Sequence, residues 1–203
     1  MVMAHWDTRE IADKDPIIEN QDKPILGAND GASGVAILLE LANILHSNKL
    51  KNIGIDLLFI DGEDMGRNGE LENFCIGSTM FCEVIPSPQP LYAICLDMVA
   101  DKDPSFPIEY FSYQQAPFLI KEIWSLAANL GYEEFQNRVV GPIYDDHRAL
   151  YINSGIPAID IIDFDYPYWH TLNDIPEHCS SKTLKIVGNV MTEFIYLKDY
   201  EIK

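Results

Sequence analysis

Short apolar runs alternate with segments whose apolar residues recur at helical spacing, and most of the apolar runs stop at an acid or an imidazole. Residues 53–60 (IGIDLLFI) read as a buried strand that ends in Asp61-Gly62-Glu63-Asp64. Residues 2–4 read as the end of a strand, followed by His5-Trp6-Asp7-Thr8-Arg9. Residues 91–96, 108–113 and 158–162 read as further strands. Between them, Val35, Leu38, Leu39, Ala42 and Leu45 share one helical face, as do Ile120, Ile123, Trp124, Ala127 and Leu130. Residues 147–153 predict a short helix closed by Gly155-Ile156-Pro157. Residues 184–197 predict a closing helix with Ile186, Val187, Val190, Phe194 and Ile195 inward. Residues 10–29 are polar and read as a long loop, a length that is usually functional or disordered. Strands alternating with helices predict an α/β sandwich with a mixed, mostly parallel central sheet.

Composition narrows the choice. The 203 residues fit one domain, 1–203, with a full core, and no repeat or linker divides them. The net charge of −18 argues against nucleic acid and fits a site that attracts cations. No run approaches the roughly 18 apolar residues of a membrane span. Met1 to Ala4 run straight into His5 without a signal, so the chain starts inside a strand and a preceding segment is expected. Cys75, Cys82, Cys95 and Cys179 show no CxxC spacing, which argues against a thiolate zinc site. Cys95 reads as a buried small hydrophobe, and a Cys75–Cys82 disulfide stays open.

The candidate chemistry lies at the strand ends. In open α/β sheets ligands bind beyond the carboxyl edge. Adjacent acids such as Glu63 and Asp64 suit a division of labour, one holding a metal and the other moving a proton. His5, Asp7, Asp30, Asp97, Asp145, Asp146, His147 and His170 supply further donors of the type that zinc takes. Each has a plainer reading when taken alone. Asp30 is an N-cap, Asp97 a turn residue, Asp145-Asp146 a solvated turn, and His5 and His170 structural histidines. His46 and His178 lie in polar contexts and read as surface residues. The joint occurrence of the others favours a metal-dependent hydrolase or transferase.

The motifs HWDTR at His5, GANDGASG at Gly27, DGED at Asp61, LDMV at Leu96, DDH at Asp145 and YWHT at Tyr168 come in a telling order. That order, over residues 3–175, resembles the zinc exopeptidase family that contains bacterial double-zinc aminopeptidases and animal-type glutaminyl cyclases. The resemblance implies a three-layer sandwich, with the family's N-terminal helix and edge strands missing from this chain. It implies Asp30, Asp64 and His170 as the ligands of one zinc, and Glu63 as general acid/base. It implies His5 and Asp97 as ligands of a second zinc in the aminopeptidases, with Asp30 bridging. In the cyclases Asp97 joins an acidic network with Asp145 instead, and Trp169 walls the pocket beside His170. Asp64 departs from the commoner Glu, so either its ion sits closer to the backbone or the ligation is altered. Asp145, where the aminopeptidases more usually carry Ser, and the wording of HWDTR and YWHT tilt the resemblance toward cyclisation of N-terminal glutamine. A two-zinc aminopeptidase is the main alternative and an inactive binding module the third. The implied partners are peptide or protein N-termini, and the implied location is outside the cytoplasm, as an exported enzyme.

Overall fold

In the computed structural model, residues 1–67 and 69–202 are described. Four strands, β1 (Val2–His5), β2 (Leu57–Ile60), β3 (Ala93–Asp97) and β6 (Ala158–Ile162), form a sheet in the order β2-β1-β3-β6. Every ladder in it is parallel, with Val2 opposite Leu57 and Ile94, and Ala93 opposite Ala158. Parallel strands need crossovers, and helices supply them on both faces. On one face Val2, Ala4, Ile94, Leu96, Ile159 and Ile161 pack under α1 (Ala32–Ser47), α4 (Pro117–Asn129) and α6 (Ser181–Glu201). On the other, Met3, Ala93, Cys95 and Ala158 meet side chains such as Phe81 of α2 (Ile76–Phe81) and Leu150 of α5 (Asp146–Ser154). Alternate residues of each strand thus feed opposite cores, the period of two of an extended chain. The three-layer architecture expected from the sequence holds.

Several elements differ from the sequence reading. Residues 53–56 lie outside β2; at their start the Asp199 carboxylate takes the amides of Lys51, Asn52 and Ile53, and Asp56 still accepts from the Val2 amide at 2.9 Å. β2 is an edge strand with Phe59 exposed, so the strand is only partly buried. The expected strand at 108–113 divides into β4 (Phe106–Ile108) and α3 (Tyr110–Gln115). Glu109 makes the break, its carboxylate accepting from the amides of Phe111 and Ser112 as a helix cap. β4 pairs with β5 (Phe135–Val139) in a small second sheet that the sequence reading missed. On α1 the buried side is Ser33, Gly34, Ile37, Leu38 and Leu41, whereas Leu39 and Ala42 are exposed. Gly34 sets that rotation, since a Cβ there would strike the Leu96 carbonyl and Ala4. All four cysteines are free, so no disulfide joins Cys75 to Cys82. Among the described residues, no helix is long and apolar enough to cross a membrane.

Candidate metal centre

The four parallel strands end along one edge, at His5, Ile60, Asp97 and Ile162. The chain leaves β1 for β2 on one side, while β3 lies on the other, so a switch point opens between β1 and β3. His5 and Asp97 face each other across it, with Nε2 3.1 Å from Oδ1. The turn after β2 adds Glu63 and Asp64. The loop before α1 adds Asp30, the start of α5 adds Asp145, and the segment after β6 adds Trp169 and His170. Six of these residues (Asp30, Glu63, Asp64, Asp145, Trp169 and His170), with Asp97, line one cleft of about 210 Å³. Phe74, Tyr144 and Phe164 complete its apolar wall and were not anticipated from the sequence.

Two donor groups converge there. Oxygen and nitrogen atoms of Asp30, Asp64 and His170 lie within 4.8 Å of one another. His170 Nε2 is 3.2 Å from Asp64 Oδ2 and 3.5 Å from Asp30 Oδ2. His5, Asp30 and Asp97 form the second group, and His5 Nε2 is 3.2 Å from Asp30 Oδ1. Asp30 therefore gives one oxygen to each group. Its side chain is not a helix cap; Gly31 holds that position without a side-chain hydrogen bond. Asp64 Oδ2 is buried without a hydrogen bond among the described residues. Two carboxylates and an imidazole around such an orphan acceptor fit a zinc ion with an open position. The short Asp64 side chain still reaches His170.

Outer residues fix these donors. Asp7 accepts from the amides of both Glu63 and Asp64, each at 3.1 Å. Arg9 donates to the Asp64 carbonyl at 3.0 Å, to Asp64 Oδ1 at 3.3 Å and to the Gly66 carbonyl. His170 Nδ1 donates to Asp13 Oδ1 at 3.0 Å, and the same carboxylate holds Arg9. Asp174 accepts from the amides of Asn29 and Asp30, and is itself held by the Tyr166 hydroxyl at 2.9 Å. Asp13 and Asp174 were missed from the sequence. Asp13 lies in the 10–29 loop, where Asp13 and Asp15 bond to His170 and Leu172 beside the site while residues 16–19 and 22–24 stay exposed. His46 is exposed, as read from the sequence. His178 is half-buried instead, stacked on Tyr168 at 3.9 Å.

The acids shift one another. Burial, joined by the Asp145 charge, raises the Glu63 carboxyl well above the ordinary range. Burial, partly offset by the His5 hydrogen bond, raises Asp97 to about 7. Burial also raises Asp64, opposed by His170. For His5 burial acts downward, but bonds to Asp30, Asp7 and Asp97 outweigh it and hold the imidazole well above its usual value. Asp145 and Asp146 are both buried rather than solvated. Asp145 caps α5, and Asp146 accepts from Ser78 at 2.7 Å. Perturbed acids in a cleft mark a reactive site.

A carboxylate–imidazole edge of this kind has known counterparts. The model of peptidase family M28 matches residues 1–195. The chain belongs to peptidase family M28. Among solved structures, this M28 chain is similar to a glutaminyl cyclase from Porphyromonas gingivalis, with 37% identity over 97% of this chain and 72% of that one, and a TM-score of 0.93. It is also similar to a protein described as a leucine aminopeptidase precursor from Bacteroides thetaiotaomicron, with 37% identity over 96% and 70% of the two chains, and a TM-score of 0.91. Among curated proteins, glutaminyl-peptide cyclotransferase of Bos taurus is 24% identical over 96% of this chain and 61% of its own length. The M28 chain spans about three-fifths of that relative, and 51% of a glutaminyl-peptide cyclotransferase-like protein of Mus musculus.

Proposed function

We propose that the chain cyclises N-terminal glutamine of peptides to pyroglutamate with release of ammonia, using zinc. The observation that carries this reading is Asp145 beside Glu63. Both belong to a cluster whose polar atoms lie within 4.8 Å of one another. A carboxylate there, rather than a hydroxyl, lifts the proton affinity of Glu63. That suits a group which must first accept a proton from an amine and then deliver it to departing ammonia. Likeness supports the same reading, since cyclases recur among the relatives, while the aminopeptidase precursor at the same 37% identity fits the alternative.

Asp30, Asp64 and His170 would hold the zinc, and Glu63 would face the substrate amine. Bound zinc would act as a Lewis acid toward the γ-amide carbonyl. Glu63 takes the proton as the α-amino nitrogen attacks the carbonyl carbon of the side-chain amide. It returns that proton to the amide nitrogen, and the C–N bond breaks to free ammonia. Asp97 and Asp145, which line the same cleft, hold the leaving amide. Trp169, with ring centroids 4.1 Å from His170 and 5.0 Å from Phe164, walls the small pocket for the glutaminyl side chain. Ring closure within one substrate needs orientation more than an activated water. Export from the cytoplasm belongs to the same proposal.

One feature favours a second reading. The His5–Asp30–Asp97 group supplies donors for a second ion, as a two-zinc aminopeptidase requires. The deciding experiment measures ammonia release from a Gln-peptide and free amino acid from a Leu-peptide, with zinc quantified in the same sample. One zinc with ammonia release supports the cyclase, and two with amino-acid release the aminopeptidase. Asp145→Ser should cut cyclisation sharply. Unchanged cyclisation in that variant removes the reason for preferring the cyclase.

A further inference from the structure

The turn carrying Glu63 is gripped from the start of α2, and the grip ends in a thiol. Cys75 donates its amide to the Glu63 carbonyl at 2.8 Å, and Ile76 donates to the Gly62 carbonyl at 2.9 Å. Gly77 lets the helix approach so closely that a Cβ there would overlap the Asp61 carbonyl. Three successive residues of one segment therefore clamp three successive residues of the other. Cys75 closes this clamp at φ +52°, a left-handed conformation unfavourable for a residue with a side chain. Such strain persists where surrounding contacts over-determine it, and it concentrates at functional sites. The conformation brings Cys75 Sγ to 3.4 Å from Glu63 Oε1. The side chain is fully buried, and burial beside Glu63, Asp146 and Asp145 keeps the thiol protonated, so its S–H is available to donate to that carboxylate.

We propose that Cys75 is a positioning residue that anchors one oxygen of the Glu63 carboxyl through its S–H and leaves the other for the substrate's proton. The inference rests on Glu63 being the acid/base, a role common to the cyclase and aminopeptidase readings. Without the anchor, the Glu63 side chain samples rotamers that point away from the amine. Substrate affinity, which the cleft walls provide, is not touched. A thiol donor is weak, so losing it should slow turnover roughly three- to tenfold.

The test compares wild type with Cys75→Ala, Cys75→Val and Cys75→Ser. For each, kcat and KM are measured on whichever peptide the wild type turns over, with zinc content and Tm alongside. Expected are a three- to tenfold fall in kcat for Ala and Val, KM within twofold, unchanged zinc, and recovery of most of the loss in Ser. Equal losses in Ser and Ala, a KM effect in place of a kcat effect, or zinc loss in Ala would each overturn the proposal. The contact is also read without activity, from the infrared S–H stretch isolated as the wild type minus Cys75→Ala difference. That band should lie at lower frequency than a free thiol and move upward in Glu63→Ala. A band unmoved by Glu63→Ala refutes the bond even if the wild type proves inactive, an outcome that would count separately against the proposed function.

Discussion

Asp13→Asn isolates the outer support of the metal centre. Asp13 Oδ1 takes the Nδ1 proton of His170 at 3.0 Å, while its Oδ2 takes Arg9 Nη2 at 3.0 Å. Those bonds fix the ring so that Nε2 faces Asp64 and Asp30. The Asp13 carboxyl sits below its ordinary range; burial acts upward, and Arg9 and His170 overcome it. The amide keeps one acceptor for His170 but turns N–H donors toward the Arg9 guanidinium, and it removes the negative charge that makes His170 a better ligand. Loss of such a partner costs about 10- to 100-fold in metal affinity, or about 1.4 to 2.8 kcal/mol. Zinc affinity should be measured by competition with a chromophoric chelator, and turnover at saturating zinc. The expected result is weaker zinc with most activity restored by excess metal. Zinc affinity within twofold of wild type would refute the argument that Asp13 orients His170.

Three further outcomes are expected. Glu63→Gln should lower kcat by about 10²- to 10⁴-fold while zinc content is kept, because the amide cannot carry the proton; loss of metal would mean Glu63 is a ligand. Metal-free protein should gain stability as pH falls from 9 to 6, read as rising Tm. Asp146 at about 8 and Asp97 at about 7 bind protons more tightly folded than unfolded, and His5 shifts with the same sign. Each contributes at most about 1.4 kcal/mol per pH unit, and a falling Tm would contradict the shifts. Gly34→Ala should cost about 1–3 kcal/mol or more, seen as a lower denaturation midpoint, since its Cβ meets the Leu96 carbonyl and Ala4; an unchanged midpoint would show that α1 can move away.

What the sequence made legible was the set of strand ends. His5, Glu63-Asp64 and Asp97 announce themselves because apolar strands stop there, and parallel pairing brings the stops to one edge. Asp145 and His170 needed motif order, since neither follows a strand directly. Asp13 carried no local mark; its role arises when the 10–29 loop folds against His170. Cys75 was legible only as half of an open disulfide question with Cys82, and its meaning depends on a backbone twist that no residue pattern encodes. The misread stretch at 108–113 shows tertiary override. Ile108, Phe111 and Tyr113 favour strands, yet the Glu109 carboxylate rewards helix by taking two amides, and the His147 ring 3.0 Å away holds it in place.

Asp30 stands between two imidazoles, one oxygen toward each. On the His5 side, the 3.1 Å contact with Asp97 and the raised imidazole favour a bound proton while no metal is there. Any second cation must evict it, so loading that side releases acid to solvent and grows easier as the medium becomes alkaline. Proton activity would thereby govern whether that side takes a cation.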